Sequence, residues 1–191
     1  GWGGLEKSPG VGVDKPKSGE IIQSNSVAVN WLFGSHFGLP RGYSAVLWGP
    51  RRSSKTVMCW DFVANLHKQN PNARAVWFDT EMRVGLQSGG ATSKNVDWER
   101  VLVKSTNVPS EIFDFIEKDV ADAIDSGVDI QLIVIDSLSM IRGRRSLSNA
   151  SIDNMTIGDQ ALTLQEGFSR ILPTLRRKKI ALLCTAQARA E

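Results

Sequence analysis

One stretch constrains this chain more than any other: Leu47-Trp48-Gly49-Pro50-Arg51-Arg52-Ser53-Ser54-Lys55-Thr56-Val57. An apolar run, Ala45 to Trp48, enters a Gly-Pro loop, and a helical pattern begins at Lys55-Thr56. This is the layout of a phosphate-binding loop, G-x-x-x-x-G-K-[ST], with Ser54 where the last glycine belongs. Such a loop needs a strand to deliver it and backbone N–H groups that curl round a phosphate. It also needs a helix N-terminus whose dipole favours the anion. The candidate phosphate-binding residues are therefore Gly49, Pro50, Arg51, Arg52, Ser53, Ser54, Lys55 and Thr56. In this chemistry Lys55 reaches the outer phosphates and the Thr56 hydroxyl ligates Mg²⁺.

The rest of the chain alternates apolar runs with helical periodicity. The strand Tyr43 to Trp48 is followed by a helix from Lys55 to about Gln69, stopped by Asn70-Pro71-Asn72. Strands are expected at Ala73 to Asp79, Val101 to Lys104, Gln131 to Ser137 and Lys179 to Ala186. Ser110 is expected to cap a helix reaching about Ser126, with Gly127 just past its end. A second long helix, Asp159 to Arg177, is expected to be interrupted at Pro173. Apolar strands alternating with helices imply a mostly parallel α/β sheet covered on both faces. Residues 1–19, rich in Gly, Pro, Lys and Ser, read as an arm or linker, either disordered or docked on a neighbouring subunit. Residues 20–191 read as one domain.

Composition adds bounds. Over 191 residues the net charge is +3, and the 41% hydrophobic content is ordinary for a globular domain. Cys59 and Cys184 stand in apolar stretches with no partner motif, which suggests buried free thiols and a reducing, cytoplasmic setting. No run is long enough to span a membrane, so no membrane partner is expected. A start on Gly1 and a stop just after a strand-like run suggest a fragment.

In parallel sheets ligands bind at the carboxyl ends of the strands, and four such ends here carry polar groups. The first carries the loop; the others carry Asp79-Thr80-Glu81, Asp136-Ser137 and Thr185 with Gln187. Asp136, closing Leu132-Ile133-Val134-Ile135, is the candidate acid for Mg²⁺, together with Thr56. Glu81 is the candidate for polarising an attacking water in line with a γ-phosphate. The Gln187 amide suits a γ-phosphate switch or, equally, an ordinary polar strand end. Arg142, Arg144 and Arg145 cluster in a polar run from Ile141 to Gly158, which by itself reads as a solvated basic loop and is also suited to phosphate contacts without base reading.

These motifs together resemble those of RecA-family recombinases. The resemblance rests on Gly38 to Gly42, Gly49-Pro50 through Lys55-Thr56, Phe78 to Glu81, Val134 to Ser137, Gly158-Asp159 and Ala186-Gln187, in order and rough spacing. Ser54, the run Asn70-Pro71-Asn72-Ala73 and the run Phe168 to Leu175 are closer in character to the T4-type phage recombinases. The resemblance implies a RecA-like P-loop NTPase fold and ATP with Mg²⁺ held by Lys55, Thr56 and Asp136. It implies that Glu81 activates water and that Gln187 couples the γ-phosphate to DNA. It further implies a helical filament on single-stranded DNA with ATP between subunits, pairing with double-stranded DNA, and work in the cytoplasm, that of the host for a phage protein. Residues 141–158 would be the first DNA-binding loop. The stretch from Met82 to Ser88 lacks the aspartate and aromatic with which bacterial members hold adenine.

Two other readings share the core. A DnaB-class hexameric helicase uses the same fold, with Thr80-Glu81-Met82 faintly similar to its motif, but Gly38 to Gly42 and Gly158-Asp159 argue against it. A nucleotide-gated recombination mediator would bind ATP without turnover.

Overall fold

The apolar runs become strands of one sheet, and the loop at Gly49 lies at its carboxyl end. The computed structural model describes residues 16–83, 95–143 and 157–188. Five strands form a parallel sheet: β3 (Ser44–Gly49), β4 (Arg74–Asp79), β5 (Val101–Ser105), β6 (Ile130–Asp136) and β7 (Ala181–Gln187), in the order β3-β7-β6-β4-β5. Before them, β1 (Ile21–Ile22) and β2 (Leu39–Pro40) make a small antiparallel pair around the short helix α1 (Val27–Trp31). The Ser26 hydroxyl caps that helix by accepting from the Val29 N–H. The fold is α/β, of the RecA-like P-loop kind.

Alternation along the central strands sends side chains to two separate cores. Ala75, Trp77, Leu132, Val134, Ala181 and Leu183 pack on one face against α2 (Lys55–Gln69). There Trp60 of α2 stacks on Trp77 of β4 with ring centroids 3.7 Å apart, a contact that adds about 1 kcal/mol beyond area burial. On the other face Val76, Phe78, Ile133, Ile135, Leu182 and Cys184 meet helices α3 and α4. Helix α3 begins as Pro109–Phe115, passes through a π-helical turn at Ile116–Val120 and ends as Ala121–Asp125. Helix α4 is Ile157–Arg177. The two cross closely at Gly167, where a Cβ would come within 2.3 Å of the Phe113 ring. Any side chain there would have to displace that buried ring.

The cysteines fall on opposite sides of the sheet, Cys59 in the first core and Cys184 in the second. Both are free, and burial pushes both thiols up from their ordinary pKa, leaving them unreactive.

Two helix expectations are corrected. Helix α3 starts at Pro109, one residue before Ser110, and Val108 at its N-cap makes no side-chain cap. A proline at the first helical position needs no N–H partner and is pre-set in φ, so it takes the start from the serine. The other end matches the expectation. Gly127 (φ 93) donates to the Ile124 carbonyl and Val128 to the Ala123 carbonyl, the paired bonds of a glycine stop. Helix α4 is not interrupted at Pro173 but runs through it. Pro173 and Ser169 are both exposed, so water can satisfy the carbonyl that loses its intrahelical donor. Among the described residues no helix is long and apolar enough to cross a membrane.

Candidate active site

Strand order decides which polar tips meet. The loop following β3 lies next to the end of β7, then β6, then β4, so the four tips open into one cleft of about 520 Å³. Arg51, Arg52, Lys55 and Arg83 line it against two carboxylates, Glu81 and Asp136, which gives an excess of positive charge. That balance, beside a helix start, suits a polyanion.

The loop is built for this without its glycine. Ser54 adopts the left-handed conformation (φ 62, ψ 18) that a glycine would take without cost, and Arg52 is left-handed too (φ 61). The first intrahelical bond of α2 runs from the Met58 N–H to the Ser54 carbonyl. Helix geometry therefore leaves the N–H groups of Lys55, Thr56 and Val57 outside the intrahelical ladder, at the cleft. The three N–H groups of the Lys55 ammonium find the Gly49 carbonyl at 3.0 Å, the Pro50 carbonyl at 2.6 Å and the Ser53 hydroxyl at 3.2 Å. Lysine has three donors and no acceptor, and all three are directed at oxygens of the loop.

Asp136 is buried at the tip of β6, preceding a cis peptide bond to Ser137. The Thr56 hydroxyl donates to its Oδ2 at 2.7 Å, and the fully buried Thr185 hydroxyl of β7 donates to Oδ1. A hydroxyl and a carboxylate side by side in a polar cleft are hard oxygen donors. They fit Mg²⁺, which takes few protein ligands and keeps waters or phosphate oxygens for the rest. Thr80, buried at the end of β4, uses its hydroxyl both to donate to the Ser137 carbonyl and to accept from the Ser137 N–H, each at 2.7 Å. This pair locks the β4 and β6 tips in register.

Glu81 follows Thr80. Its Oε1 accepts from Gln187 Nε2 at 2.6 Å and from the Ser137 hydroxyl at 3.4 Å, while Oε2 pairs with Arg83 Nη1 at 2.9 Å. Gln187 also accepts from Arg51 Nε at 3.0 Å through its amide oxygen. Arginine only donates and a carboxylate only accepts, so these two neighbours set the orientation of the amide between them. The Gln187 N–H donates to the Ser139 hydroxyl at 2.9 Å.

The structure thus brings Lys55, Thr56, Glu81, Asp136 and Gln187 together. Arg142 is exposed beyond the Leu138–Met140 turn, its N–H bonded to the Asn107 carbonyl at 3.0 Å, and it is not among the cleft-lining residues. Arg144 and Arg145 lie outside the described residues, as does most of the 141–158 segment, residues 1–15 and the stretch after Arg83. Sequence reasoning missed Ser139, Gln160 and the link between Arg51 and Gln187. Gln160 of α4 donates to the Leu138, Ser139 and Ile141 carbonyls at 3.3, 3.2 and 2.7 Å and so anchors the turn carrying Ser139. Only Gln160, two residues after Gly158, had a sequence neighbour that pointed to it.

The sequence is similar to those of several curated proteins. The chain is 26% identical to a protein described as Protein RecA from Thermotoga neapolitana, over 89% of this chain and 45% of the relative. Its identity is 23% to Protein RecA of Nitratidesulfovibrio vulgaris strain DP4, over 97% of the chain and 50% of the relative. It is 24% to Protein RecA of Mycoplasmopsis pulmonis, over 89% and 47%. The chain spans about half the length of these curated relatives. The pattern of the RecA N-terminal domain matches residues 10–191, nearly the whole sequence, and the chain therefore belongs to the RecA N-terminal domain family.

Proposed function

We propose that this chain is the ATPase core of a DNA recombinase that assembles as a filament on single-stranded DNA and promotes homologous pairing and strand exchange with a duplex. The observation that carries the reading is the convergence of a phosphate loop, a Thr-carboxylate pair, a second carboxylate and a neutral amide in one cleft. Binding alone needs the first two; the carboxylate and amide add what turnover and its control require.

In this reading the N–H groups of the loop and the start of α2 bind the phosphates, and Lys55 leaves its loop carbonyls for them. Thr56 and Asp136 would hold Mg²⁺, which when bound neutralises phosphate charge. Glu81 accepts a proton from, and orients, the water that attacks the γ-phosphorus. Gln187 donates either to Glu81 or to the γ-phosphate, and that choice reports the nucleotide state to the chain beyond β7. Arg142, Arg144 and Arg145 contact the DNA backbone, and ATP lies between adjacent subunits. Ser54 and the two sequence runs noted above favour a phage-type member acting in a host cytoplasm.

Electron microscopy of the full-length protein with ATP and single-stranded DNA tests this. Helical filaments are expected; closed rings would replace the reading with a helicase-type one. Complete absence of DNA-stimulated hydrolysis would favour a mediator that binds without turnover.

A further inference from the structure

Arg83, one of the four cations lining the cleft, has no role in the proposed function. Its guanidinium pairs with Glu81 Oε2 at 2.9 Å, although its side chain is 80% exposed against 15% for Glu81. An ion pair so open to water contributes little to stability. Its effect is one of orientation. The terminal torsion of a glutamate is broad and two-fold, so the side chain alone does not choose which oxygen faces its neighbours. Arg83 holds Oε2 and leaves Oε1 for Gln187 Nε2 and the Ser137 hydroxyl. Between the paired residues Met82 is left-handed (φ 54) and its side chain is exposed. A side-chain-bearing residue held there costs about 1–2 kcal/mol. Such strain persists where the surroundings over-determine it, as at functional turns.

We infer that Arg83 is a positioning residue for ATP hydrolysis: by fixing Glu81 Oε2 it keeps Oε1 turned toward the water that attacks the terminal phosphate. The inference rests on the proposed role of Glu81. In the step concerned the water oxygen bonds to the γ-phosphorus, the bond to the β–γ bridging oxygen breaks, and the water's proton passes to Oε1. ADP and inorganic phosphate leave.

The test is steady-state hydrolysis by the full-length protein on single-stranded DNA, comparing wild type, Arg83→Met, Arg83→Lys, Glu81→Gln and the Arg83→Met/Glu81→Gln double variant. Arg83→Met should lower kcat about tenfold and leave KM for ATP within about twofold, the pattern of a lost transition-state interaction. Arg83→Lys should recover part of the loss, and the double variant should be no slower than Glu81→Gln alone. Melting temperature checks that the exposed substitution leaves the fold intact. An unchanged kcat overturns the inference. So does a raised KM at unchanged kcat, which would make Arg83 a nucleotide ligand, or an added loss in the double variant. Should Glu81→Gln turn over like wild type, the role of Glu81 falls and Arg83's falls with it. Should Glu81→Gln be inactive while Arg83→Met is at full speed, only the inference about Arg83 falls.

Discussion

Gln187 Nε2 lies 2.6 Å from Glu81 Oε1, joining the tips of β7 and β4 across the end of β6, which separates the two strands in the sheet. The other end of the amide is taken by Arg51 of the phosphate loop. In the proposed function a phosphate entering the loop competes for Arg51 and for the Gln187 side-chain amide at once. Gln187→Ala should leave ATP affinity within about threefold, because the loop and α2 hold the nucleotide, and should lower the stimulation of hydrolysis by DNA at least tenfold. Nucleotide titration beside hydrolysis rates with and without DNA checks both parts.

Ser54 accepts the left-handed conformation at the turn into α2. Ser54→Gly should change stability by no more than about 1 kcal/mol, since relief of the side-chain clash is offset by the larger chain entropy of glycine. Ser54→Val should cost about 1–2 kcal/mol, because a β-branched residue is a genuine outlier at positive φ. Urea unfolding of the two variants measures the difference.

His67, buried on α2, is held neutral. Burial lowers its pKa from 6.5 to about 4, with the nearby Arg100 guanidinium acting in the same direction. Its Nδ1 accepts from the Asp97 N–H at 3.2 Å, so a second ring proton would displace that bond. The unfolded chain binds the proton more readily. This contribution to stability is accordingly complete above pH 6.5 and is lost as pH falls toward 4, on the order of 1–2 kcal/mol after allowance for solvent access. His67→Gln, which keeps an acceptor and does not titrate, should flatten the stability profile between pH 4 and 6.5 in chemical unfolding.

Local chemistry was legible before the structure where one stretch of chain suffices. The strand-loop-helix at Gly49 to Thr56, the strand tips at Glu81 and Asp136, and the stop at Gly127 needed only periodicity and residue type. Competition within a stretch was harder: Pro109 took the helix start from Ser110, and solvent exposure let α4 pass Pro173. Contacts set by strand order were not legible at all. Arg51 meets Gln187 because β3 and β7, far apart in sequence, are neighbours in the sheet, and no local pattern encodes that adjacency. The ion pair of Glu81 with Arg83 depends in the same way on a backbone conformation at Met82 that its residue type disfavours.

The proposed function assigns to Glu81 the activation of water and leaves nucleotide binding to other residues. The most direct measurement is ATP hydrolysis on single-stranded DNA by the full-length Glu81→Gln variant, with ATP and DNA affinities measured on the same protein. The amide keeps the shape of the carboxylate and loses its basicity. Turnover should fall by a factor of about 10² or more, as expected for loss of a general base, with both affinities within about threefold of wild type. Hydrolysis at the wild-type rate would contradict the account.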